Sequence, residues 1–145
     1  MPIKFYQVKE VPYGCFSNFS PHGFELDGKW WATSEHYFQA QKFPGTPHEE
    51  ELRLAKTGIA VAQMGRERHR PLRPDWESVK DAVMLRALLA KFGAHKDIQA
   101  ILLATGDEEL IEDAPTDYYW GCGKDGSGKN MLGQLLVQVR TALRG

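Results

Sequence analysis

Phe24-Glu-Leu-Asp-Gly-Lys-Trp-Trp-Ala-Thr-Ser-Glu-His-Tyr-Phe-Gln-Ala-Gln-Lys-Phe43, followed by Pro44-Gly45, is where the chain changes its period. Phe24-Glu-Leu and Lys29-Trp-Trp flank Asp27-Gly28, a dipeptide that takes the positive φ angles of a tight turn, so the two arms read as a β-hairpin. From Ser34 the pattern turns helical: Ser34 can cap a helix over 34–43, and Pro44-Gly45 ends it. Upstream, residues 3–8 (Ile-Lys-Phe-Tyr-Gln-Val) read as a short strand. Downstream, 48–56 and 60–67 read as two shorter helices separated by Gly58. Asp75 can cap the longest helix, over 76–92, whose Val79, Val83, Leu88 and Phe92 share a broad apolar face, and Gly93 stops it. A further helix over 96–104 carries Ile98, Ile101 and Leu102 and ends at Thr105-Gly106. The last helix begins near Asn130, with Met131, Leu132, Leu135, Leu136, Val139 and Leu143 at helical spacing and Arg140 and Arg144 near its C-terminal end, where the dipole favours them. Strand and helix do not alternate. The expectation is an α+β fold, mainly α-helical, with a small N-terminal antiparallel β element and no parallel sheet.

A length of 145 residues with no Pro/Gly/Ser-rich linker predicts a single compact domain over 1–145. Eighteen basic against nineteen acidic residues leave a charge of -1, which excludes a surface given over entirely to nucleic acid but permits a local basic patch. A hydrophobic fraction of 42% is too high for a disordered chain. Cys15 and Cys122 form no CxxC pair, which excludes a zinc ribbon and a disulfide framework. The five histidines make no HxxxH or HExxH pair, so neither a metal nor a cofactor is expected. Met-Pro-Ile-Lys-Phe-Tyr at the start carries no secretory pattern, and the most apolar run, 82–90, is interrupted by Arg86. A cytoplasmic protein with no membrane partner, monomeric or weakly dimeric, is the expectation.

Polar and aromatic residues that fit no core pattern collect in four places. Around Phe16-Ser-Asn-Phe19 and the first helix, Glu35, Gln39 and Lys42 fall on one helical stripe. That stripe reads either as a solvated face or as a carboxylate kept ionised beside a substrate. Arg66, Arg68, Arg70 and Arg73 crowd eight positions next to Trp76: a solvated basic turn, or a phosphate clamp beside an aromatic platform. Asp117-Tyr-Tyr-Trp120-Gly121 sets a carboxylate among aromatics, either for acid/base chemistry or as a loop plugging the core edge. The loop 121–130 partly matches two phosphate-binding patterns. GxGxxG lacks a following strand and acid, and Asn130 stands where the magnesium-binding Ser or Thr of a P-loop is required, so NTP and dinucleotide binding are excluded. Lys129 at a helix N-terminus survives as an anion site. No GxSxG elbow points to a covalent serine mechanism.

Phe16-Ser-Asn-Phe19, Ser34-Glu-His-Tyr-Phe-Gln-Ala-Gln-Lys-Phe43, Asp75-Trp-Glu-Ser-Val-Lys80, Ala90-Lys-Phe92, Leu102-Leu-Ala-Thr105, Asp117-Tyr-Tyr-Trp-Gly121 and Gly128-Lys-Asn-Met-Leu-Gly133 together resemble the NADAR family, and within it the YbiA-like N-glycosidases. The resemblance implies a mainly helical α+β fold and hydrolysis of an N-glycosidic bond. For that branch the implied substrate is a small phosphorylated ribosyl-heterocycle, the phosphoribosylamino-pyrimidine intermediates of riboflavin synthesis. Other branches are associated with removal of ADP-ribose from guanine bases, so ADP-ribosylated nucleic acid is the second substrate implied, and a non-catalytic nucleotide-binding module the third possibility. Carried over by position, Glu35 and Asp117 are the catalytic carboxylates, expected to face one sugar carbon. Trp76 and Trp120, with Asn18, Lys42 and Asn130, are carried over as substrate-binding residues. Arg66 from the basic turn and Lys129 from the anion site join them on the reading of the residues themselves, with Trp76 and Trp120 expected against the heterocycle and Lys42 with the arginines on the phosphate. Cys122 stands where the family pattern has a small or acidic residue.

Overall fold

Asp27 and Gly28 both take positive φ, 56° and 76°, the pair of angles that a tight hairpin turn with right-handed strand twist requires. They join β2 (Phe24–Leu26) to β3 (Lys29–Trp31) in an antiparallel ladder that pairs Phe24 with Trp31. The computed structural model describes all residues, 1–145, and they form two compact units: Pro21–Ala94, and Met1–Ser20 with His95–Gly145. No helix is long and apolar enough to cross a membrane.

In the unit Pro21–Ala94 the hairpin leads into α1 (Ser34–Ala40), every residue of which is buried. The cap is Thr33 and not Ser34: its hydroxyl accepts the His36 N–H at 3.1 Å. Both are good capping types, and the extended backbone of Thr33 selects it. The helix is shorter than the spacing suggested, but Lys42 N–H still donates to Gln39 C=O at 3.2 Å, so the helical stripe continues through Lys42. α2 (Pro47–Arg53) and α3 (Gly58–Met64) follow; Gly58 is not a spacer between them but opens α3 behind its Thr57 cap. α4 (Trp76–Ala94) runs through Gly93. Asp75 precedes α4, but its carboxylate is engaged by Arg73. Phe24, Trp31, Tyr37, Phe43, Leu52, Val61 and Ala87 meet in one apolar core, with α1 packed against α2, α3 and α4.

In the other unit, β1 (Ile3–Phe5) pairs with β4 (Leu110–Glu112). The pairing is parallel, with Ile3 opposite Leu110 and Phe5 opposite Glu112, which corrects the expectation of no parallel sheet. Three residues are too few to show a period, so β4 leaves no mark in the sequence. α5 (Lys96–Ala104) ends at Thr105 and Gly106 (φ 65°), as its spacing predicts. α6 (Met131–Arg144) packs on β4 and α5. A Cβ on Gly133 would overlap the Leu110 carbonyl oxygen, so this helix–strand approach needs glycine. Arg140 is 4% exposed; its guanidinium donates to Thr105 Oγ1 (2.8 Å) and Glu108 C=O (2.9 Å) as well as lying near the helix end.

Candidate active site

Glu35 lies in the first turn of α1 and is only 8% exposed. Its Oε2 accepts a hydrogen bond from Gln39 Nε2 at 2.7 Å, the i, i+4 contact that the stripe predicts. Lys42, next on the stripe, directs its ammonium to the Gly65 carbonyl (3.2 Å), 5.8 Å from the Trp76 ring and 6.0 Å from Phe38. Burial lowers the Lys42 pKa, and the negative field of Glu35 partly restores it. Trp76 is 5% exposed and packs at 5.0 Å against Phe38, so it is at once a core anchor and a wall of the cleft described next.

A cleft of about 440 Å³ opens beside these residues, lined by Lys42, Trp76, Glu77 and the turn after α3. The four arginines of that turn divide into two kinds. Arg70 is buried and bonded to Glu51, Glu67 and His48, and Arg73 clasps Asp75 at 2.6 Å; both are structural ties. Arg66 and Arg68 are exposed, line the cleft and have no carboxylate partner. The two acids on the same lining are already neutralised, Glu67 by Arg70 (2.7 Å) and Glu77 by Lys80 (2.6 Å). The cleft therefore presents uncompensated positive charge beside an aromatic face, a fit to an anionic group carried on a ring.

In the unit Met1–Ser20 with His95–Gly145, Asp117 Oδ1 accepts the N–H groups of Tyr119 (3.0 Å) and Trp120 (2.8 Å), which fixes the aromatic turn. Trp120 packs edge-on against Tyr119 at 5.0 Å. The carbonyls of Tyr118, Gly121, Tyr119 and Trp120 receive the N–H groups of Lys129, Asn130, Met131 and Leu132. This corrects the anion site expected from the backbone at the start of α6: those donors are already spent on the preceding loop. The Lys129 side chain is exposed, its ammonium 5.3 Å from the Tyr119 ring. Asn130 adopts a left-handed conformation (φ 53°), and its amide bridges β4, accepting from Glu112 N–H (2.9 Å) and donating to Leu110 C=O (2.8 Å). Asn18 is 9% exposed and follows Ser17, whose hydroxyl accepts the Phe19 N–H. Burial, then Asp113, raises the Cys122 thiol pKa above its ordinary value.

The NADAR domain family model matches residues 4–144, through both units. The chain belongs to the NADAR family. It is 50% identical over 141 residues to "N-glycosidase YbiA" of Escherichia coli, a match covering 97% of this chain and 88% of that protein. The NMR structure of the E. coli protein YbiA superposes with a TM-score of 0.91 at 49% identity, covering 99% of this chain and 85% of that one. "Riboflavin biosynthesis protein PYRR, chloroplastic" of Zea mays is 39% identical over 158 residues, spanning 99% of this chain and 25% of the maize protein. In this NADAR chain the mainly helical α+β fold agrees with the expectation drawn from the sequence. Sequence reasoning passed over Arg68 as a distinct cleft residue, and Gly65 altogether. Arg70–Glu67 and Arg73–Asp75 are neighbours in sequence, but Glu51, which completes the Arg70 pairing, is brought in by α2, and local spacing does not reveal it.

Proposed function

We propose that this chain hydrolyses the N-glycosidic bond of phosphoribosylamino-pyrimidine intermediates of riboflavin synthesis, releasing ribose 5-phosphate. The names of the E. coli and maize relatives support both halves of this reading, the bond and the pathway. One observation from the geometry carries it: Lys42 stands between a buried carboxylate, Glu35, and a cleft edge where Arg66 and Arg68 lack partners beside the Trp76 ring. Phosphate would sit on Lys42, Arg66 and Arg68, with the heterocycle against the Trp76 ring; Trp120 is assigned to the heterocycle on the family likeness alone. Cleavage breaks the anomeric C–N bond, and its electron pair leaves with the amine nitrogen. Positive charge grows on the sugar ring, and water supplies the new C–O bond. Glu35 is assigned to take the proton from that water, and the proton count closes when the departing nitrogen is protonated. Asp117 is assigned to stabilise the oxocarbenium charge, on the family likeness; its Oδ1 is engaged by backbone and its Oδ2 is uncommitted. Asn18 and Asn130 are assigned to substrate contacts on the same likeness and Lys129 as the exposed cation before α6; Asn130 also ties the loop that carries Trp120, through its N–H on the Gly121 carbonyl. The reading takes residues 1–145 as one functional domain acting as a monomer or weak dimer. Both cysteines are free thiols, in keeping with a cytoplasmic site of action.

Product analysis by mass spectrometry tests the substrate. Incubation with the phosphoribosylamino-pyrimidine should release ribose 5-phosphate, and incubation with an ADP-ribosylated guanine oligonucleotide should leave it intact. Turnover of the oligonucleotide alone would overturn the assignment in favour of ADP-ribosyl hydrolysis.

A further inference from the structure

We propose that Gln39 and Gly65 together form the device that positions Glu35; the inference rests on the reading that Glu35 is a reacting carboxylate. Gln39 is 5% exposed and spends its Nε2 on Glu35 Oε2 at 2.7 Å. Its Oε1 is buried with no hydrogen-bond partner, an arrangement that costs stability and that a leucine of similar volume would avoid. Turning the amide over would set oxygen against carboxylate, so the donor faces Glu35 and the acceptor goes unsatisfied. An amide kept in that state serves through its donor, holding one rotamer of Glu35 and favouring the ionised form.

Gly65 makes the room. Its backbone is ordinary right-handed helix (φ −65°, ψ −16°), so no conformational demand selects glycine there. A Cβ would overlap Gln39 Oε1 and lie 2.7 Å from Gln39 Cδ, driving the amide off Glu35. The carbonyl of the same residue receives the Lys42 ammonium at 3.2 Å. One glycine thus sets the distance of both the carboxylate's partner and the neighbouring cation. The other charges around Lys42, those of Arg66, Glu77 and Lys80, are untouched by changes at 39 and 65.

The test is steady-state kinetics, pH–rate profiles and thermal melts for Glu35→Gln, Gln39→Leu, Gln39→Glu, Gly65→Ala, Gln39→Ala and the double variant Gln39→Ala/Gly65→Ala. Gln39→Leu should melt no lower than the parent, lose about tenfold in kcat, and move the acid limb of its profile up by roughly one pH unit. Gln39→Glu should exceed it on both counts, since two carboxylates then share the site. By itself Gly65→Ala should cost about tenfold in kcat, and much less in the Gln39→Ala background, where the overlapping Oε1 and Cδ are gone and only the Cβ of residue 39, at 3.2 Å, is left against the methyl. Parental kcat with an unmoved acid limb in Gln39→Leu, or additive losses in the double variant, would overturn the proposal. If Glu35→Gln is inactive while Gln39→Leu matches the parent, only the positioning role falls. If Glu35→Gln keeps parental activity, the assignment of Glu35 itself falls first.

Discussion

Lys42 answers to two opposing influences at one ammonium group. Burial favours its neutral form, and Glu35 favours its charged form; burial is the larger, so its pKa lies below the ordinary lysine value of 10.5. As pH rises, the charge is lost sooner than on an exposed lysine, and with it the attraction for phosphate. KM should therefore climb on the alkaline side below the usual lysine range, while kcat changes less. In Lys42→Arg, which stays charged throughout, the climb should vanish; measuring KM between about pH 7 and 10 checks both statements. A KM that is flat to the ordinary lysine range in the parent would remove Lys42 from the phosphate site. The spacing of Glu35, Gln39 and Lys42 was visible in the sequence because neighbours on one helical stripe are fixed by local geometry. The division of the arginines was not, since several acids lie within reach of each in sequence and Arg70 is completed by Glu51, nineteen positions away on α2.

The start of α1 shows how a cap and a buried histidine share one hydroxyl. His36 Nε2 lies 2.9 Å from the Ala55 carbonyl, which can only accept, so the proton sits on Nε2 and Nδ1 takes the Thr33 hydroxyl hydrogen at 2.8 Å. Thr33 Oγ1 in turn accepts the His36 N–H. Burial lowers the His36 pKa below 6.5, outweighing the Ala55 bond that raises it. Protons then bind the unfolded chain more readily, so the stability this group contributes is present above about pH 6.5 and is lost as pH falls through the lower folded value. Urea denaturation should show stability declining from pH 7 to 5 in the parent and a flatter decline in His36→Gln. Thr33→Val, which removes the cap and the hydroxyl donor to Nδ1 together, should cost about 1–2 kcal/mol at neutral pH. At the other end of the chain, Gly133→Ala forces α6 off the Leu110 carbonyl and disturbs the Asn130 bridge; the expected loss is about 2–3 kcal/mol by the same measurement. Elements whose signals are local were legible: the Asp27-Gly28 turn, and α5 with its Thr105-Gly106 stop. β4 was not, because its identity comes from pairing with a strand more than a hundred positions away.

Taken whole, the chain is nearly neutral, with a formal charge of -1, yet it concentrates unpaired cations in one cleft of the unit Pro21–Ala94. Overall charge therefore says little about the ligand, and the arrangement of ion pairs says more: every carboxylate lining that cleft is matched, and Arg66 and Arg68 are not. The family match from residue 4 to 144 runs through both units, which is why motifs as far apart as Phe16-Ser-Asn-Phe19 and Asp117-Tyr-Tyr-Trp-Gly121 could be recognised together in the sequence. The glycine-rich loop misled in one respect. Its glycines and the α6 N–H groups serve a close backbone weave of residues 118–132, and only the hydrogen bonds reveal that. The most direct measurement is the rate of ribose 5-phosphate release from the phosphoribosylamino-pyrimidine by the parent and by Glu35→Gln, with circular dichroism confirming that both are folded. The variant should be slower by about 10²–10⁴-fold. Equal rates would contradict Glu35 as the group that activates water.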